Sequence, residues 1–217
     1  MKERKTRSDG EATREAILEA AEVEFSEKGF ELASIREICR RAGVNIALAN
    51  RYFGSKDRLY RLVAERLFRR LEQPMTEVAD GVTDAKSWRA ALEKWVGDFL
   101  FMAIPTERPQ RLCRGLFRHE VADPTKFHDE FERDFGKPIY DSLWKLIARV
   151  EGDSERIELM TSSIWSQVSV YALADESWQR SFRPPEVANA EWRDRVRDFI
   201  CDSVFRSVRS LVDVVEG

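Results

Sequence analysis

The sequence predicts an all-α protein, with a small N-terminal helix-turn-helix unit followed by a larger helical bundle. Three observations carry that prediction. Apolar residues recur at spacings of three and four along most of the chain, with no sustained strand-like alternation. Glycine and proline punctuate it at intervals that suit helices of about 10–20 residues. The stretch 34–61, SIREICRRAGVNIALANRYFGSKDRLYR, reads as two short helices around a glycine turn, running into a longer one.

Residues 1–12 are polar, charged and aperiodic, which predicts a frayed arm; its Lys2, Arg4, Lys5 and Arg7 also suit contact with a polyanion. Over 13–28, Ile17, Leu18, Ala21 and Phe25 share one helical face, and Gly29 closes the segment. Ser34 is placed to cap the next helix, with Glu37 completing a Ser-x-x-Glu capping box. Ile35, Ile38, Cys39 and Ala42 form its inner face, and Gly43 stands where the backbone needs positive φ. Asn45 restarts a helix as its N-cap, with Val44 stapling against Ala49. That helix is too short to bury much for itself, so its neighbours must carry it and present it outward. A fourth helix runs from 55 to about 71 on Leu59, Leu62, Val63, Leu67 and Leu71, and Pro74 is expected to end it.

The remainder also reads as helix. Residues 84–103 carry Trp88, Leu92, Trp95, Val96, Phe99 and Leu100, and residues 107–121 carry Leu112, Leu116, Phe117 and Val121. Asp123-Pro124 is expected to open a helix as N-cap and first-turn proline, with a kink at Pro138. A helix follows over 154–175, a loop over 178–189 with Pro184-Pro185, and a last helix over 190–215. The boundaries expected are 1–54 for the arm and helix-turn-helix, 55–73 for a connecting helix, and 74–217 for a ligand-binding and dimerisation domain.

Residues 12–70 resemble the DNA-binding domain of TetR/AcrR-type transcriptional regulators. The landmarks are Ile17, Ala20, Ala21, Phe25, Gly29, Phe30, Ile35, Ile38, Ala42, Gly43, Val44, Tyr52, Phe53, Ser55, Lys56 and Leu59. Asn50 stands where the family usually has Tyr, and Ala49 where it has a bulkier apolar residue, departures that bear on which DNA sequence is read. Asn-Ile-Ala followed by Tyr-Phe-Gly-Ser-Lys, and the later run LFRHEVADPTKFHDEFERDFGKPIYDSLWKLIARV, resemble the CecR/YbiH-like subgroup. The resemblance implies an all-α ligand and dimer domain and names no ligand.

Charge supports the DNA partner locally. The 217-residue chain is 43% hydrophobic and 35% charged with a net charge of −3, which as a whole does not suit a polyanion. Residues 36–70, however, hold ten Lys/Arg against three Asp/Glu, while 1–35 balance at −3 and 71–217 at −7. Positive charge is thus concentrated around the helix-turn-helix, as phosphate binding requires. No run approaches the ~20 apolar residues of a membrane span, and the N-terminus lacks the apolar core of a signal peptide. Cys39, Cys113 and Cys201 are odd in number and far apart, which suits a reducing cytoplasm. No P-loop, nucleophile elbow or dinucleotide fingerprint occurs, and no cofactor is expected.

On the second helix of the motif, Val44, Ala49 and Phe53 are expected to face inward. That turns Ala47, Leu48, Asn50 and Arg51 towards the major groove, with Asn45 and Ile46 beside them. Asparagine pairs bidentately with adenine and arginine with guanine, while Leu and Ala suit thymine methyls. The resemblance implies phosphate contacts for Tyr52 and Lys56; Ser34 and Arg36 are candidates for phosphate near a helix N-terminus. One such helix reads few base pairs, so specificity asks for a homodimer on a palindromic operator in double-stranded DNA. Its interface is expected on the last two helices, through Trp165, Val168, Tyr171, Phe199, Ile200, Val204 and Val208, although the same stripes serve an internal core.

Trp95, Phe99, Met102, Leu112, Cys113, Leu116, Phe117, Phe127, Phe131, Tyr140, Trp144 and Trp165 enrich the middle of the chain in aromatics and sulfur. They suggest a pocket for a small apolar or amphipathic effector between the helices of 88–150, or simply a core. His119, Glu120, Asp123, His128 and Asp129 could instead serve a metal-dependent enzyme, but their spacing fits no established metal motif. The sequence therefore reads as a ligand-responsive, homodimeric transcriptional regulator, most simply a repressor and not an enzyme. A DNA-binding protein with a closed core and no effector is the alternative.

Overall fold

The computed structural model describes residues 2–174 and 190–208 and is all-helical, with no strand among them. Helix α1 (Lys2–Leu32), α2 (Ile35–Ala42) and α3 (Ile46–Phe53) form the head, and α4 (Lys56–Thr76) leaves it. The bundle follows as α5 (Ala85–Ala103), α6 (Arg108–Ala122), α7 (His128–Phe131), a π-helical turn (Glu132–Gly136), α8 (Lys137–Ile147), α9 (Ser154–Leu173) and α10 (Ala190–Ser207). The expected loop over 178–189 and the last helix beyond 208 lie outside the described residues.

Several boundaries differ from expectation for identifiable reasons. The N-terminal arm continues α1 back to Lys2, since its Lys, Glu and Arg residues are good helix formers. Pro74 does not end α4, which runs on to Thr76; proline perturbs the residues before it more than those after it. Asp123 is not an N-cap. It ends α6, its N–H donating to the His119 carbonyl at 2.9 Å, while Thr125 folds back towards Glu120 and α7 starts only at His128. The kink expected at Pro138 takes the form of the π-helical turn just before it, which widens the helix where the proline ring must fit.

The core explains the tryptophans. Trp88 and Trp95 are fully enclosed, and each indole N–H is satisfied: Trp88 donates to the Leu146 carbonyl at 2.8 Å and Trp95 to the Ser142 hydroxyl at 2.9 Å. These bonds seat α5 on α8.

The head is joined to the bundle by direct packing of α1 on α6. The Ser26 hydroxyl donates to the Leu112 carbonyl at 2.7 Å, and His119 packs over Gly29, where α1 breaks at φ 71°. Closest of all is Gly115. A Cβ there would lie 2.5 Å from the Ser26 carbonyl oxygen. Alanine normally stabilises a helix interior relative to glycine by about 0.5–1 kcal/mol. At Gly115 the clash reverses the sign, and Gly115→Ala is expected to destabilise by about 1–3 kcal/mol as α6 is levered off α1. Denaturant unfolding checks this; an unchanged or raised midpoint would contradict the close apposition.

Candidate DNA-reading face and ligand cleft

Helix α3 is built by its caps. Gly43 at φ 68° closes α2, and the Asn45 side chain accepts from the Leu48 N–H at 2.8 Å to open α3, both as the sequence indicates. The Ser34 capping box does not form: the Ser34 side chain makes no cap bond. Glu37 is drawn instead to Arg40, whose bond pulls its carboxyl down to about 2, and the Ser34 N–H donates at 3.3 Å to the buried Glu24. Glu24 also pairs with Lys28 and Arg41, so one enclosed carboxylate pins the turn between α1 and α2.

Ala49 and Phe53 are buried against the head, and Val44 is half-buried. Asn45, Ile46, Ala47, Asn50 and Arg51 are exposed, as are Ser34 and Arg36 on α2, while Leu48 and Tyr52 are half-buried. Asn50 and Arg51 thus share one outward face with Ile46 and Ala47, one helical turn earlier. The Asn45 side-chain oxygen Oδ1 is already used by the cap. Tyr52 places its hydroxyl beside Gly10 of α1. Lys56 is folded inward, donating to the Glu31 carbonyl at 3.1 Å with its ammonium 4.6 Å over the Phe30 ring. Arg36, Arg51 and Arg58 make no ion pair among the described residues, so their charge is available to a partner. Arg58 escaped the sequence reading, which followed the apolar stripe of α4.

The expected ligand residues separate into four places. Trp95, Cys113 and Leu116 lie in filled core. Phe99, Met102, Phe117, Phe131 and Trp165 surround an internal void of only about 20 Å³, too small for an effector. Tyr140, Trp144 and Trp165 line an open groove between α8 and α9, where the Tyr140 hydroxyl donates to Glu158 at 2.8 Å.

Phe127 and Phe131 belong to a fourth place, a cleft of about 500 Å³. It does not lie wholly within residues 88–150. One wall is α4, through Tyr60, Arg61, Ala64, Glu65 and Arg69; the other holds Glu120, Phe127, Glu130, Phe131, Asp134 and Phe135. The Tyr60 hydroxyl donates to the buried Glu120 carboxylate, which also accepts from Thr125 at 2.9 Å. Burial, then the Glu120 bond, pushes the Tyr60 phenol far above its usual range, so it remains a donor. Glu120 sits on the same α6 face as Cys113, Leu116 and Phe117. An acid on an apolar stripe was the available sequence signal for this site. His119 turns to Glu27 and Gly29 of α1 while His128 Nδ1 lies 4.0 Å from Glu120, and no three such groups are placed to hold a metal among the described residues.

The dimer candidates divide similarly. Val168, Ile200, Val204 and Val208 are buried within the protomer, whereas Phe199 is 72% exposed and Trp165 and Tyr171 are half-buried. Leu159 and Val170 of α9, not singled out from the sequence, are exposed as well.

Comparison with known proteins supports the family. Residues 17–63 match the bacterial regulatory proteins of the tetR family, and residues 88–206 match the C-terminal domain of the HTH-type transcriptional dual regulator CecR. The chain is 26% identical over 145 residues to the probable HTH-type transcriptional regulator YttP of Bacillus subtilis, covering 67% of each protein. It is 25% identical over 178 residues to the HTH-type transcriptional dual regulator CecR of Shigella flexneri, covering 77% of this chain and 79% of that one. Among solved structures, HlyIIR, a hemolysin II transcriptional regulator, superposes with a TM-score of 0.62 at 22% identity over 88% of this chain and 97% of its own. The SmeT–triclosan complex gives 0.66 at 17% over 90% and 91%. Those structures show the shared fold, no strand-bearing domain intervenes among the described residues, and no described helix is long and apolar enough to cross a membrane. With the CecR-type C-terminal domain matching more than half of its length behind a TetR-type head, this chain belongs to the TetR family of helix-turn-helix transcriptional regulators, in its CecR-like branch.

Proposed function

We propose that this regulator binds a palindromic operator as a homodimer in the cytoplasm, and that a small effector in the α4–α7 cleft releases it. The observation that carries the reading is the outward face of α3, where Asn50 and Arg51 are exposed and unspent at the centre of the basic segment. Exposed Arg36 and Arg58 supply the positioning charge, a role that Lys56 fills less well because it is bonded to Glu31. Repression follows most simply, since a dimer seated on an operator excludes other proteins from it. The description of CecR as a dual regulator favours activation at other sites as a second reading. The SmeT complex with triclosan supports an effector of modest size.

Arg51→Ala and Asn50→Ala should each lose about 1–3 kcal/mol of operator selectivity while retaining salt-sensitive, non-specific binding. Arg36→Ala should weaken all duplexes alike and flatten the salt slope by about one unit. Titrations of operator and random duplexes at several salt concentrations decide it; unchanged selectivity in both α3 variants rejects this reading face.

For the dimer, exposed Phe199 replaces Val204 as the informative position. Phe199→Glu should give a monomer with the stability of the protomer almost unchanged, because a surface substitution costs about 0.5 kcal/mol or less. Val204→Glu should instead unfold the chain by burying an unpaired charge. Light scattering beside a thermal melt separates the two, and a stable dimer of Phe199→Glu places the interface elsewhere.

A further inference from the structure

The α4–α7 cleft has a charge preference written into its lining, and the following inference rests on the effector reading of that cleft. Its volume, about 500 Å³, is within the ordinary range for small-molecule sites. Two arginines line it against four acids. Three of those acids are already answered: Glu65 by Arg69 at 2.8 Å, Glu130 by Arg61 at 2.7 Å, and Asp134 by Arg133 at 2.7 Å. Glu120 is not. Its side chain is 1% exposed, its partners are the neutral hydroxyls of Tyr60 and Thr125, and the nearest basic group among the described residues is His128 Nδ1 at 4.0 Å. A buried carboxylate held only by neutral donors gains from any cation that reaches it without water.

The walls suit the same kind of guest. Phe127, Phe131, Phe135 and Tyr60 line the cleft; Phe127 already carries the Arg61 guanidinium at 4.6 Å and the Lys126 ammonium at 5.1 Å, while Phe131 and Phe135 carry no cation among the described residues. An aromatic face beside a desolvated carboxylate is the combination that recognises organic ammonium or phosphonium groups. An anion would meet Glu120 with no cation free to offset it, and a neutral ligand would leave the carboxylate as it stands.

We propose that the cleft takes an aromatic or amphipathic organic cation, with Glu120 as its counter-charge and the Phe131 and Phe135 rings as its aromatic wall. Occupancy would compete with Tyr60 for Glu120. Tyr60 lies on α4 one helical turn from Lys56, so the cation would act on the helix that leaves the reading head.

The test uses the full chain without DNA, titrated calorimetrically with tetraphenylphosphonium and tetraphenylborate, which match in size and shape and differ in charge. At least a tenfold preference for the phosphonium is expected. Glu120→Gln should abolish that preference, and Ala64→Phe, which fills the cleft from α4, should remove phosphonium binding. Absent phosphonium binding, equal binding of the two ions, or an unchanged preference in Glu120→Gln overturns the inference. Circular dichroism checks that Glu120→Gln folds; if it does not, phosphonium binding that survives in Ala64→Phe overturns the inference by itself. Operator release is measured separately. Phosphonium that binds through Glu120 without affecting DNA upholds the cation site and rejects the regulatory role of the cleft. A cleft that ignores phosphonium while another compound releases DNA rejects the cation site and leaves regulation standing.

Discussion

Glu120 is enclosed at the joint between head and bundle, and an enclosed carboxylate costs several kcal/mol unless it is hydrogen-bonded. The protein answers it with Tyr60 from α4 and Thr125 from the α6–α7 link, so satisfying one group fixes three elements together. Aromatic packing surrounds the same point. Tyr60 meets Phe25 and Phe30 of α1 edge-on, each at 5.0 Å between centroids, and Phe127 lies 5.1 Å from Phe30. The direction in which α4 leaves the head is set here, and α3 inherits it, since α3 and α4 are separated by Gly54 and Ser55 alone.

The parts of this arrangement that were legible in the sequence are those decided by neighbours in the chain. Asn45 caps α3 because its own backbone supplies the donor three residues on, and Gly43 adopts positive φ because a tight turn demands it. The failures occur where a distant group outbids a local one. Ser34 and Glu37 have capping-box spacing, but Arg40 takes Glu37 and Glu24 from α1 takes the Ser34 N–H. Asp123-Pro124 has helix-start chemistry, but Thr125 is claimed by Glu120.

Periodicity also identifies a buried face without saying what covers it. Ile200, Val204 and Val208 fall on a proper helical stripe and are covered by their own protomer, while Phe199, adjacent in sequence, is left in solvent. The aromatics divide for the same reason. Trp95 has a hydrogen-bond acceptor in Ser142 and sits in solid core; Phe127 packs against Tyr60 at 5.5 Å between centroids and yet lines the cleft between α4 and α7. Half of the cleft comes from α4, whose sequence reads as a plain leucine-lined connector.

That placement changes how a signal would travel. A pocket confined to the bundle would have to act at the far end of α4, near Leu71, about 22 Å along the helix from Lys56. The cleft instead touches α4 at Tyr60 and Ala64, so a displacement has only about 6 Å to cover before it reaches the start of the helix. The head would not respond by hinging loosely. Gly115 against Ser26 and His119 against Gly29 lock α1 to α6, and Lys126 pairs with Asp57 at 2.6 Å across the same joint. With α1 held to α6 and α4 held to Glu120, a ligand that displaces Tyr60 pulls one of two supports while the other stays in place. On the proposed reading, the motion this favours is a rotation of the head about the α1–α6 contact, which would turn α3 while leaving the head folded.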